Sequence, residues 1–345
     1  MSQVAETLGN CTMKFAKMRV ASSSVVVFTD PVDSINMYDG VVNQFEGAVL
    51  AGDVLVASSI GSENPFVLFD LKTGTFNETT IAGDGGYEMC VLGPDELVYC
   101  APDQAQDHIP VIDPISRTVD TTTYSGLPYV TPVCSGLVSV PDEGLIVCVP
   151  AGATYIPIVD TVEKTVDFTS LTGFSGHFKY SGGALGSDGL VYCTPDRADH
   201  VLIIDPVAKT ADSTTLSGLG TDSNKFGVPT AALGGSVIVA PAYYRDAFIF
   251  IDVATQTMDV TTASGYPTTF KWPGCVTGPG DDMVYCVPNP AELAIVDPAT
   301  KAVDLVDVGV SANNQYRTCT ISDAGLMYCP PFYHDQLLVV DVNRL

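Results

Sequence analysis

The chain has 345 residues and carries 40 acidic against 15 basic side chains, a formal charge of −25. That balance argues against a nucleic-acid partner, because a polyanion would be repelled and no basic stripe is present to release its counterions. No run approaches the roughly 18 apolar residues of a membrane span, and the opening MSQVAETLGNCTMKFAKMRV has no apolar core after a basic start, so a cytoplasmic protein without a membrane partner is expected.

After a 1–20 extension comes the β-rich stretch ASSSVVVFTD at 21–30, and from about Phe45 one seven-residue word recurs to the end of the chain. An apolar pair, an Asp and a turn are followed by a second acidic or amide position: Asp70 and Asn77, Asp113 and Asp120, Asp160 and Asp167, Asp205 and Asp212, Asp252 and Asp259, Asp297 and Asp304, then Asp341 alone. The leading aspartates lie 43, 47, 45, 47, 45 and 44 residues apart, the period of a four-stranded propeller blade. Removing the twelve repeat aspartates leaves 28 acids against 15 basic residues, so about half of the charge imbalance is architecture.

One copy, at 176–220, shows how a repeat becomes a blade. KYSGGALG alternates small and apolar residues, GSDG is a turn, LVYCTP and HVLIIDP are the second and third strands, and the Thr-rich TADSTTL suits an outermost strand. The leading Asp closes the third strand, where its carboxylate can accept backbone N–H bonds of the turn. Blades are expected at about 43–84, 85–128, 129–175, 176–220, 221–267, 268–310 and 311–345, in one domain covering 1–345. The seventh copy has only three strands, so 21–30 is expected to supply its fourth and close the ring. The fold class is all-β: a seven-bladed propeller of four-stranded blades closed by an N-terminal strand.

The pattern LVYCTP…HVLIIDPVAKTADSTTLSGLG resembles the YVTN and NHL-like propeller repeats over nearly the whole chain. The resemblance implies seven blades; those families include surface, binding and enzymatic members, so it implies no single activity.

Cys90 and Cys100, Cys275 and Cys286, and Cys319 and Cys329 should face each other across adjacent strands. With no secretion signal, they are expected to be reduced core thiols. No CxxC occurs, and neither a metal nor a cofactor is expected.

The nonrepeating cations collect on one face, that of the B-to-C and D-to-A loops. Lys179, Lys225, Lys271 and Arg317 begin inner strands, while Arg197 and Arg245 lie in B-to-C loops. His108, His200 and His334 share those loops, and Asp107-His108, Asp199-His200 and His334-Asp335 are candidate His–carboxylate pairs or metal ligands. A cationic patch on an acidic molecule favours a compact anion. Lys179, Lys271 and Arg317 are the expected anion contacts, Tyr180, Trp272 and Tyr316 the stacking wall, and Glu46, Glu88 and His177 the proton-transfer candidates. The leading expectation is a monomeric binding propeller for a small anionic molecule or a partner protein. The alternatives are a channel-mouth enzyme of lactonase, lyase or hydrolase type, and an interaction scaffold or assembly subunit.

Overall fold

The structure, a computed structural model, describes residues 7–8, 11–12, 19–20, 26–27, 32–36, 45–59, 66–79, 86–103, 106–130, 132–267, 271–289, 292–309, 316–333 and 336–345. Seven four-stranded antiparallel sheets form the blades, each with strands A to D running from the axis outwards. Blade 1 comprises Phe45–Ala51, Val54–Ser59, Phe66–Asp70 and Thr75–Thr79. Blade 4, with Tyr180–Leu185, Val191–Pro195, Leu202–Asp205 and Thr210–Asp212, has the strand order expected of its repeat.

The core consists of seven apolar seams between blades. In the blade 2–3 seam, Tyr99, Ile109 and Tyr124 pack on Cys134, Ile146 and Val159. In the last seam, Phe45, Leu55 and Phe69 of blade 1 pack on Tyr328, Leu337 and Val339 of blade 7, which closes the circle. The blades pack face to face, so strand D of each remains an edge on the outside of the ring, short and bearing the capped aspartates that discourage pairing.

The leading aspartates do the structural work their position suggests. Asp113 Oδ1 accepts from the N–H groups of Ile115 (2.8 Å) and Ser116 (3.0 Å), and Asp160 and Asp205 repeat the bond pair. The following aspartates cap the next turn: Asp212 accepts from the backbone and hydroxyl of both Thr214 and Thr215, which holds its carboxyl down at about 2.

The closing strand is Val32–Asn36, not the 21–30 stretch. Within 21–30, Val26–Val27 pairs with Arg19–Val20 instead, and the other residues there lie outside the described ones. Register explains the choice. Asp33 lies opposite Val339, as Asp120 lies opposite Val111 and Asp167 opposite Ile158. Asp33 is therefore the second acid that the seventh repeat lacks at the C-terminal end.

The cysteine expectation is also corrected. Cys90–Cys100, Cys134–Cys148, Cys275–Cys286 and Cys319–Cys329 are disulfides, each joining strand A to strand B of one blade. Cys193 is a buried free thiol opposite Gly183, where no second sulfur exists.

Candidate functional site at the channel mouth

Strand A of blades 1 to 4 begins with a break in register, between Phe45 and Gly47, Tyr87 and Cys90, Cys134 and Gly136, and Tyr180 and Gly182. A bulge inserts a residue and re-aims its side chain. Here the inserted residues, Glu46, Glu88 with Met89, Ser135 and Ser181, border a cavity of about 230 Å³ at the axis. Gly227, Pro273 and Arg317 complete the circuit in blades 5, 6 and 7. Past this level the inner strands of blades 5 and 6 touch: Val228 N–H donates to Pro273 O at 2.8 Å and Cys275 N–H to Val228 O at 3.1 Å.

Charge is concentrated in one sector of this rim. Arg317 Nη1 donates to Glu46 Oε1 at 2.7 Å, and the guanidinium lies 4.0 Å from the centre of the Phe332 ring. The Glu46 side chain is only 13% exposed, and this burial pushes its carboxyl up to about 7 despite Arg317, with the Asp103 charge adding to the rise. Glu88 is held well above the usual carboxylate range by burial and by the charges of Asp103 and Glu46, and it shares a hydrogen bond with Asp103. Burial also raises Asp196, on the opposite wall. A carboxyl that titrates near neutrality can hold or release a proton at physiological pH.

The expected site residues divide. Glu46, Glu88, Tyr180 and Arg317 border the cavity; Lys179, Lys271, Trp272, Tyr316 and His177 do not. Lys179 Nζ folds back onto the carbonyls of Ala151 (2.9 Å), Ala153 (2.8 Å) and Gly176 (3.1 Å), and Lys225 Nζ onto those of Asp196 (2.7 Å) and Asp222 (2.9 Å). These ammonium groups latch a blade to the one before it. Lys271 occupies the same repeat position but its Nζ has no hydrogen-bond acceptor among the described residues and lies 5.3 Å from the ring centres of both Tyr266 and Trp272. Burial lowers all three lysines to about 8. His177 is exposed.

The aromatic residues are buried fasteners. Trp272 Nε1 donates to Glu292 O at 2.9 Å and Tyr316 OH to Gln336 O at 3.2 Å. Tyr180 OH meets His200 Nε2 at 2.6 Å, with His200 Nδ1 2.7 Å from Asp199; Tyr87, His108 and Asp107 repeat the arrangement at 2.9 and 3.2 Å. The first two His–Asp pairs thus anchor B-to-C loops, while His334-Asp335 lies outside the described residues. Among the described residues, no cluster of three His, Cys, Asp or Glu side chains could hold a metal ion.

Asp103, Asp196, Ser135 and Tyr243 were not singled out by the sequence. A signal existed for the first two: Pro102-Asp103 and Pro195-Asp196 both follow the end of strand B, outside the repeated acid columns.

No protein-family model and no curated sequence matches the chain. Solved structures do. A virginiamycin B lyase from Staphylococcus aureus, crystallised as a catalytically inactive variant with quinupristin, superposes with a TM-score of 0.71 at 12% identity, over 90% of this chain and 98% of that one. The extracellular domain of the B. thetaiotaomicron hybrid two component system BT4673 gives 0.68 at 11% identity, over 90% of this chain and 43% of that one. Kuenenia stuttgartiensis hydrazine synthase gives 0.65 at 13% identity, over 88% and 97%. At these identities the similarity establishes the seven-bladed propeller and leaves activity to the site itself.

Proposed function

We propose that the protein is a binding propeller that takes a small molecule into the channel mouth. The observation that carries this reading is the cavity itself: four consecutive blades bulge at the same point, and the inserted side chains all border one space. Its volume, about 230 Å³, is just below the ~300–1,000 Å³ range of ligand pockets, so the molecule is small. Glu46, Glu88 and Arg317 bring charge to one side of the space, and Phe226, Val228 and Pro273 offer an apolar bed beside Asp196 and Asn224 on the other.

The test is a small-molecule screen by thermal shift on the native protein and on Met89→Trp, which fills the cavity from blade 2. Hits that bind the native ring and are lost in a folded Met89→Trp support the reading. Hits indifferent to the substitution, or none across a chemically broad library, overturn it.

Glu46 favours a second reading, that of an acid–base enzyme at the same mouth. A carboxyl near 7 beside a guanidinium is suited to proton transfer, and Glu46 would be the general acid or base with Arg317 steadying developing negative charge. A turnover that survives Glu46→Gln would remove it.

The compartment we propose is an oxidising one, in place of the cytoplasm expected from the sequence. Four disulfides within the blades support this, because such bonds persist where thiols are not kept reduced. Alkylation of the eight cysteines in unreduced native protein, seen by mass spectrometry, would count against it.

A further inference from the structure

We infer that the ligand of the channel mouth is an organic cation, a primary ammonium compound with a short apolar body, seated against Glu46, Glu88 and the hydroxyl of Ser135. The inference rests on the channel-mouth reading above and adds the chemical class.

The first ground is the disposal of positive charge. An anion would need a free cation at the mouth, yet Lys179 and Lys225 spend their ammonium groups on backbone carbonyls and Lys271 lies among aromatic rings, with none of the three ammonium groups aimed at the cavity. Arg317, the one basic side chain on the cavity wall among the described residues, is already bonded to Glu46 and stacked on Phe332. Glu88, Asp103 and Asp196 are carboxyls set against that single, committed guanidinium. Beyond the mouth, the net charge of −25 draws cations towards the ring and repels anions.

The second ground is independent of the carboxyls. Ser135 borders the cavity, and its Oγ is enclosed with no hydrogen-bond partner among the described residues. Buried polar atoms in native proteins are almost always satisfied, so an orphan hydroxyl at a cavity wall marks a place where a partner is missing, and its oxygen can accept from a ligand's donor. An ammonium group is a compact donor of three N–H bonds and fits a wall made of carboxylate and hydroxyl oxygens. Phe178, Tyr180 and Tyr243 also border this space; the Phe178 ring already carries the Arg197 guanidinium at 5.0 Å, which leaves the two tyrosines to suit a ligand cation, while Phe226, Val228 and Pro273 accept its hydrocarbon. An inorganic cation would use neither the rings nor the apolar bed.

Calorimetric titration with three isosteric probes, benzylamine, benzyl alcohol and benzoate, and with the matched n-butyl set, decides the matter. The expected result is binding of the amines, at least tenfold weaker binding of the alcohols and none of the carboxylates, with amine affinity falling at least tenfold in Glu88→Gln and several-fold in Ser135→Ala. The serine variant keeps the test open if the glutamate variant does not fold. Alcohols or carboxylates that bind as well as amines, and are lost in Met89→Trp, would overturn the cation assignment while leaving the channel-mouth reading intact. Amine binding unaffected by Met89→Trp, or no binding by any probe, would overturn the assignment together with the site.

Discussion

The rim of the channel has two unlike halves. Blades 7, 1 and 2 contribute Arg317, Glu46 and Glu88 to it, whereas blades 3 to 6 contribute Ser135, Ser181, Gly227 and Pro273. The same repeat supplies both halves, with the same Asp-capped turns and the same seams. The rim difference lies chiefly beside the aromatic or apolar residue at the start of strand A, with Asp196 of blade 4 adding a carboxyl from its B-to-C loop. A repeat can therefore hold its frame constant and still build an asymmetric site, because the inserted position makes no demand on the blade's own sheet. The half that is neutral along its strand A rim is also the tighter one. Ser181 Oγ and Thr194 Oγ1 both donate to Gly227 O, at 3.3 and 3.2 Å, and Gly227 packs directly on the Pro273 carbonyl.

The contrast can be broken most severely from the neutral half. A Cβ at Gly227 would collide with the Pro273 and Trp272 carbonyls, which are backbone and cannot swing aside. Gly227→Val should cost about 3 kcal/mol, or prevent folding, as read by urea denaturation. A loss under about 1 kcal/mol would mean that the inner strands of blades 5 and 6 have room to separate.

In the charged half, the expected signature is a dependence on pH. Glu46 is raised from 4.5 to about 7 in the folded ring, so between those values the native state holds a proton that the unfolded chain has released. Stability contributed by this group therefore falls as pH rises from about 4.5 to about 7, by about 3 kcal/mol in all. Glu46→Gln should flatten that slope in denaturation curves taken across the window. The capped aspartates act in a separate window: Asp120 and Asp212, at about 2 instead of 3.8, lose their stabilising contribution only as pH falls towards 2.

A smaller and sharper contrast concerns the lysines. Lys179→Met leaves the carbonyls of Ala153 and Gly176 without their ammonium donor, and that of Ala151 with only the backbone N–H of residue 179, and should cost about 2 kcal/mol. Lys271→Met at the equivalent position removes a buried ammonium with no acceptor among the described residues, and should stabilise the protein by about 1 kcal/mol near neutral pH. Thermal melts of the two variants in parallel would show opposite shifts; shifts of the same sign would mean that Lys271 is a latch as well.

The period was legible because every copy needs a carboxylate at the same turn, and the Asx bonds at Asp70, Asp113, Asp160 and Asp205 show that requirement being met. Loop assignment was legible too, since the cations do lie where strands A begin. Side-chain direction was not. Sequence places Lys179 at the mouth but does not reveal that its chain folds onto carbonyls 26 and 28 residues earlier. The bulges were equally silent, because an inserted residue such as Ser135 looks like any other member of an alternating strand. The closing strand was misplaced for a related reason: apolar content favoured VVVFTD at 25–30, while the ring selected the segment whose Asp33 falls into the acid column.

That strand has a consequence for synthesis. Val32–Asn36 leaves the ribosome before any of blades 1 to 6, yet its partner Gln336–Asp341 is made only after them. Throughout elongation the nascent chain is an open arc with two raw ends, the blade 1 face bearing Phe45 and Phe69 and whichever blade is newest. Its exposure to self-association thus lasts until Gln336–Asp341 emerges, and that strand, on meeting Val32–Asn36, is the clasp that ends it.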